Sequence, residues 1–134
     1  MITGVHHITL LVRDLEEAMN RYRRQLGIAE FVEASLPERG VRTARFTVGD
    51  THIVLIEPVA EGEPMRQLNE RGEGLFLLSF EVDDLGRAIE QVEAGGGGMK
   101  GAARRGLEDW DVIDVDPSGL CGSQIQLTQR AEKR

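Results

Sequence analysis

Apolar residues recur in two alternating rhythms along this chain. Strand-like alternation runs through Ile8-Thr9-Leu10-Leu11-Val12, through Val41–Val48 and through residues 51–57. Helical spacing appears in Leu15, Ala18, Met19, Tyr22 and Leu26, and again in Leu85, Ala88, Ile89 and Val92. Asp14 and Asp84 stand where each helical stripe starts, and their short carboxylates suit an N-cap; Glu17, three residues after Asp14, completes a capping-box-like pair. Further strands are expected over 29–35, 99–104, 109–115 and 122–128, with a tight hairpin at Gly49-Asp50 and a turn at Asp116-Pro117-Ser118-Gly119.

Compared with itself, the chain repeats. Val12-Arg13-Asp14-Leu15-Glu16-Glu17-Ala18-Met19 matches Val82-Asp83-Asp84-Leu85-Gly86-Arg87-Ala88-Ile89. Thr51-His52-Ile53-Val54-Leu55 resembles Ser123-Gln124-Ile125-Gln126-Leu127, and each helix runs to glycine, at Gly27 and at Gly95 to Gly98. The pattern predicts an α+β fold of two tandem β-α-β-β-β modules whose mixed sheets form a cleft, with the helices on the outer face. Module one is expected over 1–57, a linker over 58–73 with a short helix near 65–71, module two over 74–128 and a tail over 129–134.

Strand alternation sorts residues onto two faces. Ile8, Leu10, Val12, Ile53, Leu55, Leu78, Phe80, Val82, Ile125 and Leu127 form an aliphatic face suited to helix packing. The opposite face collects His7, His52, Ser79, Glu81, Gln124 and Gln126 among Leu11, Val54 and Leu77. Sparse polar groups among apolar walls describe a small-molecule cleft better than a wetted sheet. Glu81 is its one carboxylate on a central strand: burial would suit it to acid–base work, and pairing with an arginine such as Arg45 is the ordinary alternative. Trp110 is expected in the core or as a wall of the cleft.

Composition narrows the classes. The 134 residues carry a net charge of −7, and the basic residues lie among acidic ones, so neither nucleic acid nor a membrane surface is an expected partner. No apolar run approaches the roughly 20 residues of a membrane span. A single cysteine, Cys121, excludes an internal disulfide and has no base beside it in sequence. A cytoplasmic protein without a signal peptide is expected. Gly95 to Gly98 follows a helix rather than opening one, so it reads as a helix exit and not as a phosphate loop.

Val5-His6-His7-Ile8-Thr9-Leu10-Leu11-Val12-Arg13-Asp14-Leu15 resembles the opening of a vicinal oxygen chelate domain, the superfamily of glyoxalase I, extradiol dioxygenases, bleomycin-resistance proteins and methylmalonyl-CoA epimerase. Asp116-Pro117-Ser118-Gly119 resembles its turn before the last strand. Arg71-Gly72-Glu73-Gly74 running into Phe80-Glu81-Val82-Asp83-Asp84-Leu85 looks most like the epimerase branch. The resemblance implies four metal-ligand positions, at His7, Val54, Leu77 and Gln126. Two of these are aliphatic and carry no lone pair, so no metal is expected in the family's manner; a divalent ion, if held, would fall to His7, Gln126 and His52.

Three functions follow as expectations. The first is an isomerase or lyase resembling the epimerases or glyoxalase I. The second is a metal-free protein that binds or sequesters a small oxygen-bearing molecule, as the resistance proteins do. The third is a metal-free enzyme using Glu81, His7 or His52 for acid–base work. The reading that joins them is an epimerase-like protein with an altered cleft. Glu81 and His7 are its catalytic candidates, and His52, Val54, Leu77, Ser79, Gln124, Gln126 and Trp110 its ligand contacts. A homodimer is expected, because exposed sheet edges need cover.

Overall fold

The computed structural model describes residues 1–130. In chain order the elements are β1 (Ile2–Leu11), α1 (Leu15–Leu26), β2 (Val32–Leu36), β3 (Val41–Val48), β4 (Thr51–Pro58), α2 (Glu63–Arg71), β5 (Gly74–Val82), α3 (Leu85–Ala94), β6 (Arg104–Arg105), β7 (Trp110–Asp114) and β8 (Ile125–Arg130). Two short 3-10 turns, Pro37–Arg39 and Pro117–Leu120, complete them. The fold is α+β, built from the repeated strand–helix–strands order that the self-comparison predicts.

Two compact units arise, one of Ile8–Phe76 and one of Met1–His7 with the chain from Leu77 onward. In the first, the strand order is β2-β3-β4-β1, with β2, β3 and β4 antiparallel. In the second it is β1-β5-β8-β7-β6, with β5 and β8 parallel and the later pairs antiparallel.

Each unit buries one helix face against its sheet. The Asp14 carboxylate accepts from the Glu17 N–H at 3.0 Å and so caps α1. Gly27 ends that helix in the left-handed conformation (φ 69°), which a side chain would strain. Leu15, Ala18 and Met19 pack on Val12, Ala44 and Leu55. In the second unit Asp84 caps α3 through the Arg87 N–H at 3.0 Å. Leu85 and Ala88 pack on Val82, Ile113, Val115 and Leu127, with Phe80 and Ile125 at the margin. The expected stripes hold except at Leu26, which ends exposed beside the Gly27 cap.

Several boundaries differ from expectation. The strand expected over 99–104 shrinks to Arg104–Arg105 plus a single bridge between Met99 and Val115. Glycine has no side chain to pack on a sheet, and Gly96 and Gly101 take positive φ around that segment. The last strand begins at Ile125 rather than 122, because the chain from Pro117 to Gly122 stays folded in its turn, with the Gly122 N–H on the Pro117 carbonyl at 2.8 Å. It runs on through Arg130; residues 131–134 of the expected tail lie outside the described residues. The first strand after α1 starts at Val32 rather than 29, and α2 starts at Glu63, with Pro64 in its first turn where no N–H partner is needed. Among the described residues no helix is long and apolar enough to cross a membrane.

Candidate functional site

Cross-strand neighbours share a face of a sheet. In the second unit the pairs Ser79–Gln126, Glu81–Thr128, Asp114–Gln126 and Trp110–Arg130 therefore lie on one face, and Phe80–Leu127–Ile113 on the other, under α3. The expected split between a polar and an aliphatic face thus holds in this unit.

The polar face carries a continuous chain of hydrogen bonds. Arg104 forms an ion pair with Asp114 at 2.8 Å, and the Gln126 amide nitrogen donates to the other oxygen of Asp114 at 3.2 Å. Thr128 Oγ1 stands 3.5 Å from the Gln126 oxygen and 2.5 Å from Ser79 Oγ. Asp114 can only accept, so it sets the direction of the rest. The amide must turn its NH2 to Asp114 and its oxygen to Thr128; the Thr128 proton then points to Gln126, and Ser79 donates to Thr128. Ser79, Gln126 and Thr128 are buried, where unmet polar groups are costly. Arg104, Asp114 and Thr128 were not among the residues expected at the site, although alternation in Trp110-Asp111-Val112-Ile113-Asp114 places Asp114 with Trp110.

A second group gathers around Trp110. The His7 ring stacks on the indole at 5.0 Å between centroids, and the His6 ring meets it edge-on at 4.4 Å. The two histidines face each other through Nδ1 atoms 2.8 Å apart. One ring must donate and the other accept, so the contact requires unlike Nδ1 protonation. His6, on the opposite side of the strand from His7 by alternation and so not among the residues expected at the site, also joins this buried group. Trp110 is buried, which is the core placement among the two expected for it, and it lies on the same face as Gln126 and Thr128. Glu81 is half-buried and its carboxylate pairs with Arg130 at 3.2 Å. Leu77 is buried at the start of this face, and the carbonyl of Gln124 accepts from the Leu78 N–H at 3.1 Å, tying that residue to β5 by its backbone.

In the first unit, His52 is half-buried next to the β3–β4 turn, its Nδ1 3.4 Å from Thr47 Oγ1. Val54 is buried opposite Arg45. A groove of about 540 Å³ lies here, lined by the segment after α1 together with Arg45, Phe46, Thr47 and His52.

These residues do not fit a metal held by four ligands at the positions the resemblance implies. Val54 and Leu77 are 3% and 9% exposed and offer no donor atom. The Gln126 amide is engaged with Asp114 and Thr128. Among the described residues no group of three or more His, Cys, Asp or Glu stands close enough to hold an ion.

Comparison with known proteins gives these features a lineage. The chain is 28% identical over 133 residues to an ethylmalonyl-CoA/methylmalonyl-CoA epimerase of Cereibacter sphaeroides, covering 96% of this chain and 99% of that one. It is 28% identical over 129 residues to the mitochondrial methylmalonyl-CoA epimerase of Mus musculus, covering 93% of this chain and 72% of that one. The crystal structure of methylmalonyl-CoA epimerase from Mycobacterium tuberculosis superposes with a TM-score of 0.91 at 27% identity, over 98% of this chain and 90% of that one. Residues 6–113 match the family model described as Glyoxalase/Bleomycin resistance protein/Dioxygenase superfamily. With that match spanning most of its length, and with the repeated strand–helix–strands order beneath it, the chain belongs to the glyoxalase/bleomycin resistance protein/dioxygenase superfamily.

Proposed function

We propose that this protein is an epimerase-like enzyme that takes a small oxygen-bearing acyl thioester and works without a bound metal. The observation that carries the reading is the pair of buried aliphatic residues, Val54 and Leu77, in a chain otherwise similar over nearly its whole length to proteins named as acyl-CoA epimerases. In this reading the polar face of β5 and β8 contacts the ligand through Ser79, Gln124 and Gln126. Leu77 and Trp110 supply apolar wall. Glu81 moves the proton on the carbon next to the thioester carbonyl, and Arg130 holds its carboxylate in place. His7, stacked on Trp110, orients the ligand's oxygens. The chain pairs as a homodimer, which sedimentation at micromolar concentration checks by returning twice the chain mass.

The test is exchange in D2O. Methylmalonyl-CoA and ethylmalonyl-CoA are incubated with protein dialysed against a chelator, and deuterium at the α-carbon is read by NMR. Exchange that survives chelation and is lost in Glu81→Gln supports the reading. Exchange that vanishes on chelation and returns with Zn, Co, Ni or Mn overturns it. A second reading, a non-catalytic protein that binds or sequesters its ligand, is favoured by the closed chain from Ser79 to Arg104, whose members already satisfy one another. Tight binding of the thioester with no exchange would select it.

A further inference from the structure

A sheet edge presents a row of backbone donors and acceptors that another strand can pair with. In the second unit the edge strand is β6, two residues long, and both residues are arginine. In the first unit it is β2, five residues long, with one charged side chain, Glu33, and no proline. Val32 on this strand is 54% exposed, and Glu33 and Ser35 are exposed as well. β2 therefore lacks most of the charge, proline and cover that keep an edge from pairing.

Thr43 fixes which backbone groups of β2 face outward. Its hydroxyl donates to the carbonyl of Ala34, the residue directly opposite, at 3.3 Å, so that carbonyl faces β3. Backbone groups of successive strand residues turn to opposite sides. Those of Val32, Ala34 and Leu36 therefore serve β3, and the N–H and C=O of Glu33 and Ser35 face the free edge.

This strand is complementary to itself. An antiparallel copy laid on the edge, with Ala34 on a twofold axis, sets Glu33 opposite the partner's Ser35, and each such pair exchanges both of its N–H···O bonds. Val32 then meets the partner's Leu36, apolar against apolar. Ala34 meets the partner's Ala34 in a pair without mutual hydrogen bonds, where side chains come closest and a methyl fits. No like charges stand directly opposite, and Glu33 faces a hydroxyl that can donate to it. β6 paired with itself would instead set arginine against arginine over two residues.

We propose that the chain dimerises by joining β2 to β2 of a second copy, antiparallel about Ala34, as one continuous sheet. The inference rests on the homodimer reading above for the oligomeric state, and on β2 alone for the interface. The pairing also carries the partner's Leu36 to Val32, which lines the groove of the first unit with Ile28, Thr47 and His52. Each copy thus adds apolar wall at the rim of the other's groove.

The test uses the full chain in sedimentation and in thiol cross-linking. Wild type should sediment at twice the chain mass at micromolar concentration. Ala34→Lys sets like charges face to face on the axis and should weaken the dimer by about 10-fold or more, with unchanged circular dichroism. Ala34→Cys, in a Cys121→Ser background that removes the native thiol, brings two thiols within reach of a disulfide across the axis and should cross-link on oxidation. Leu75→Cys in the same background, exposed on β5, should not. If Ala34→Lys does not fold, Ala34→Cys decides. A dimer as tight with Ala34→Lys as without it, or an Ala34→Cys protein that links no faster than Leu75→Cys, overturns the proposal and leaves the homodimer reading standing. A wild type of single-chain mass overturns both.

Discussion

The two repeats place different chemistry at the same point of the fold. The matching segments set Val54 of β4 against Gln126 of β8. Directly across the sheet, Gln126 faces Asp114, whereas Val54 faces Arg45. In the second unit the amide meets a carboxylate, the carboxylate meets Arg104, and the polar face closes on itself. In the first unit a cation stands opposite a valine, beside a groove. The same scaffold therefore carries a self-satisfied polar face in one unit and a buried cation beside a groove in the other.

The comparison breaks most severely in the cores that both repeats share. Leu55→Ala and Leu127→Ala each remove a buried side chain under a helix, and each should cost about 2–5 kcal/mol in urea unfolding. A loss below about 1 kcal/mol at either would mean that its face is not the packed one. The next effect separates the units. Asp114→Ala strips the buried Gln126 amide of its acceptor and should cost about 1–3 kcal/mol. Asp114→Ala combined with Gln126→Leu should recover part of that loss, since an apolar side chain needs no partner; a double variant that adds the two losses in full would show the pair to be uncoupled.

The helix caps should behave alike, because the repeat preserves them. Asp14→Ala and Asp84→Ala each free one N–H of a first turn and should cost about 1 kcal/mol by thermal unfolding. Unequal losses would show that one repeat leans more on its helix. The smallest effect distinguishes a turn that only the second repeat has. Asp116 accepts from the Ser118 N–H, and from its hydroxyl, at 2.9 Å each, which lowers its pKa. A lowered pKa means that the turn is favoured above the ordinary Asp value and loosens as pH falls through the native one. The Ser118 amide signal should therefore titrate below the ordinary Asp range; titration at or above the ordinary value would refute the contact.

The site was partly legible in the same way. Alternation places Ser79, Glu81 and Gln126 on one face because a strand's period of two is a local property. It does not reveal that Gln126 is held by Asp114, since that pairing depends on the register of β7 against β8. Nor does it show His6 and His7, neighbours in sequence, both against Trp110. Glu81 illustrates the limit: its position was readable, but its partner Arg130 comes from beyond the strand's expected end.

By itself, the sequence determined the repeat, both capped helices and the aliphatic face. All of these follow from side-chain identity and spacing within a short stretch of chain. Only the tertiary structure decided which polar groups satisfy one another and where a cation is buried. Those outcomes depend on cross-strand register and on desolvation, which arise only when distant segments are brought within hydrogen-bonding distance. The sequence offers Arg45 as a partner for Glu81; in the structure Glu81 pairs with Arg130, and the strands on either side of Arg45 make it a buried charge.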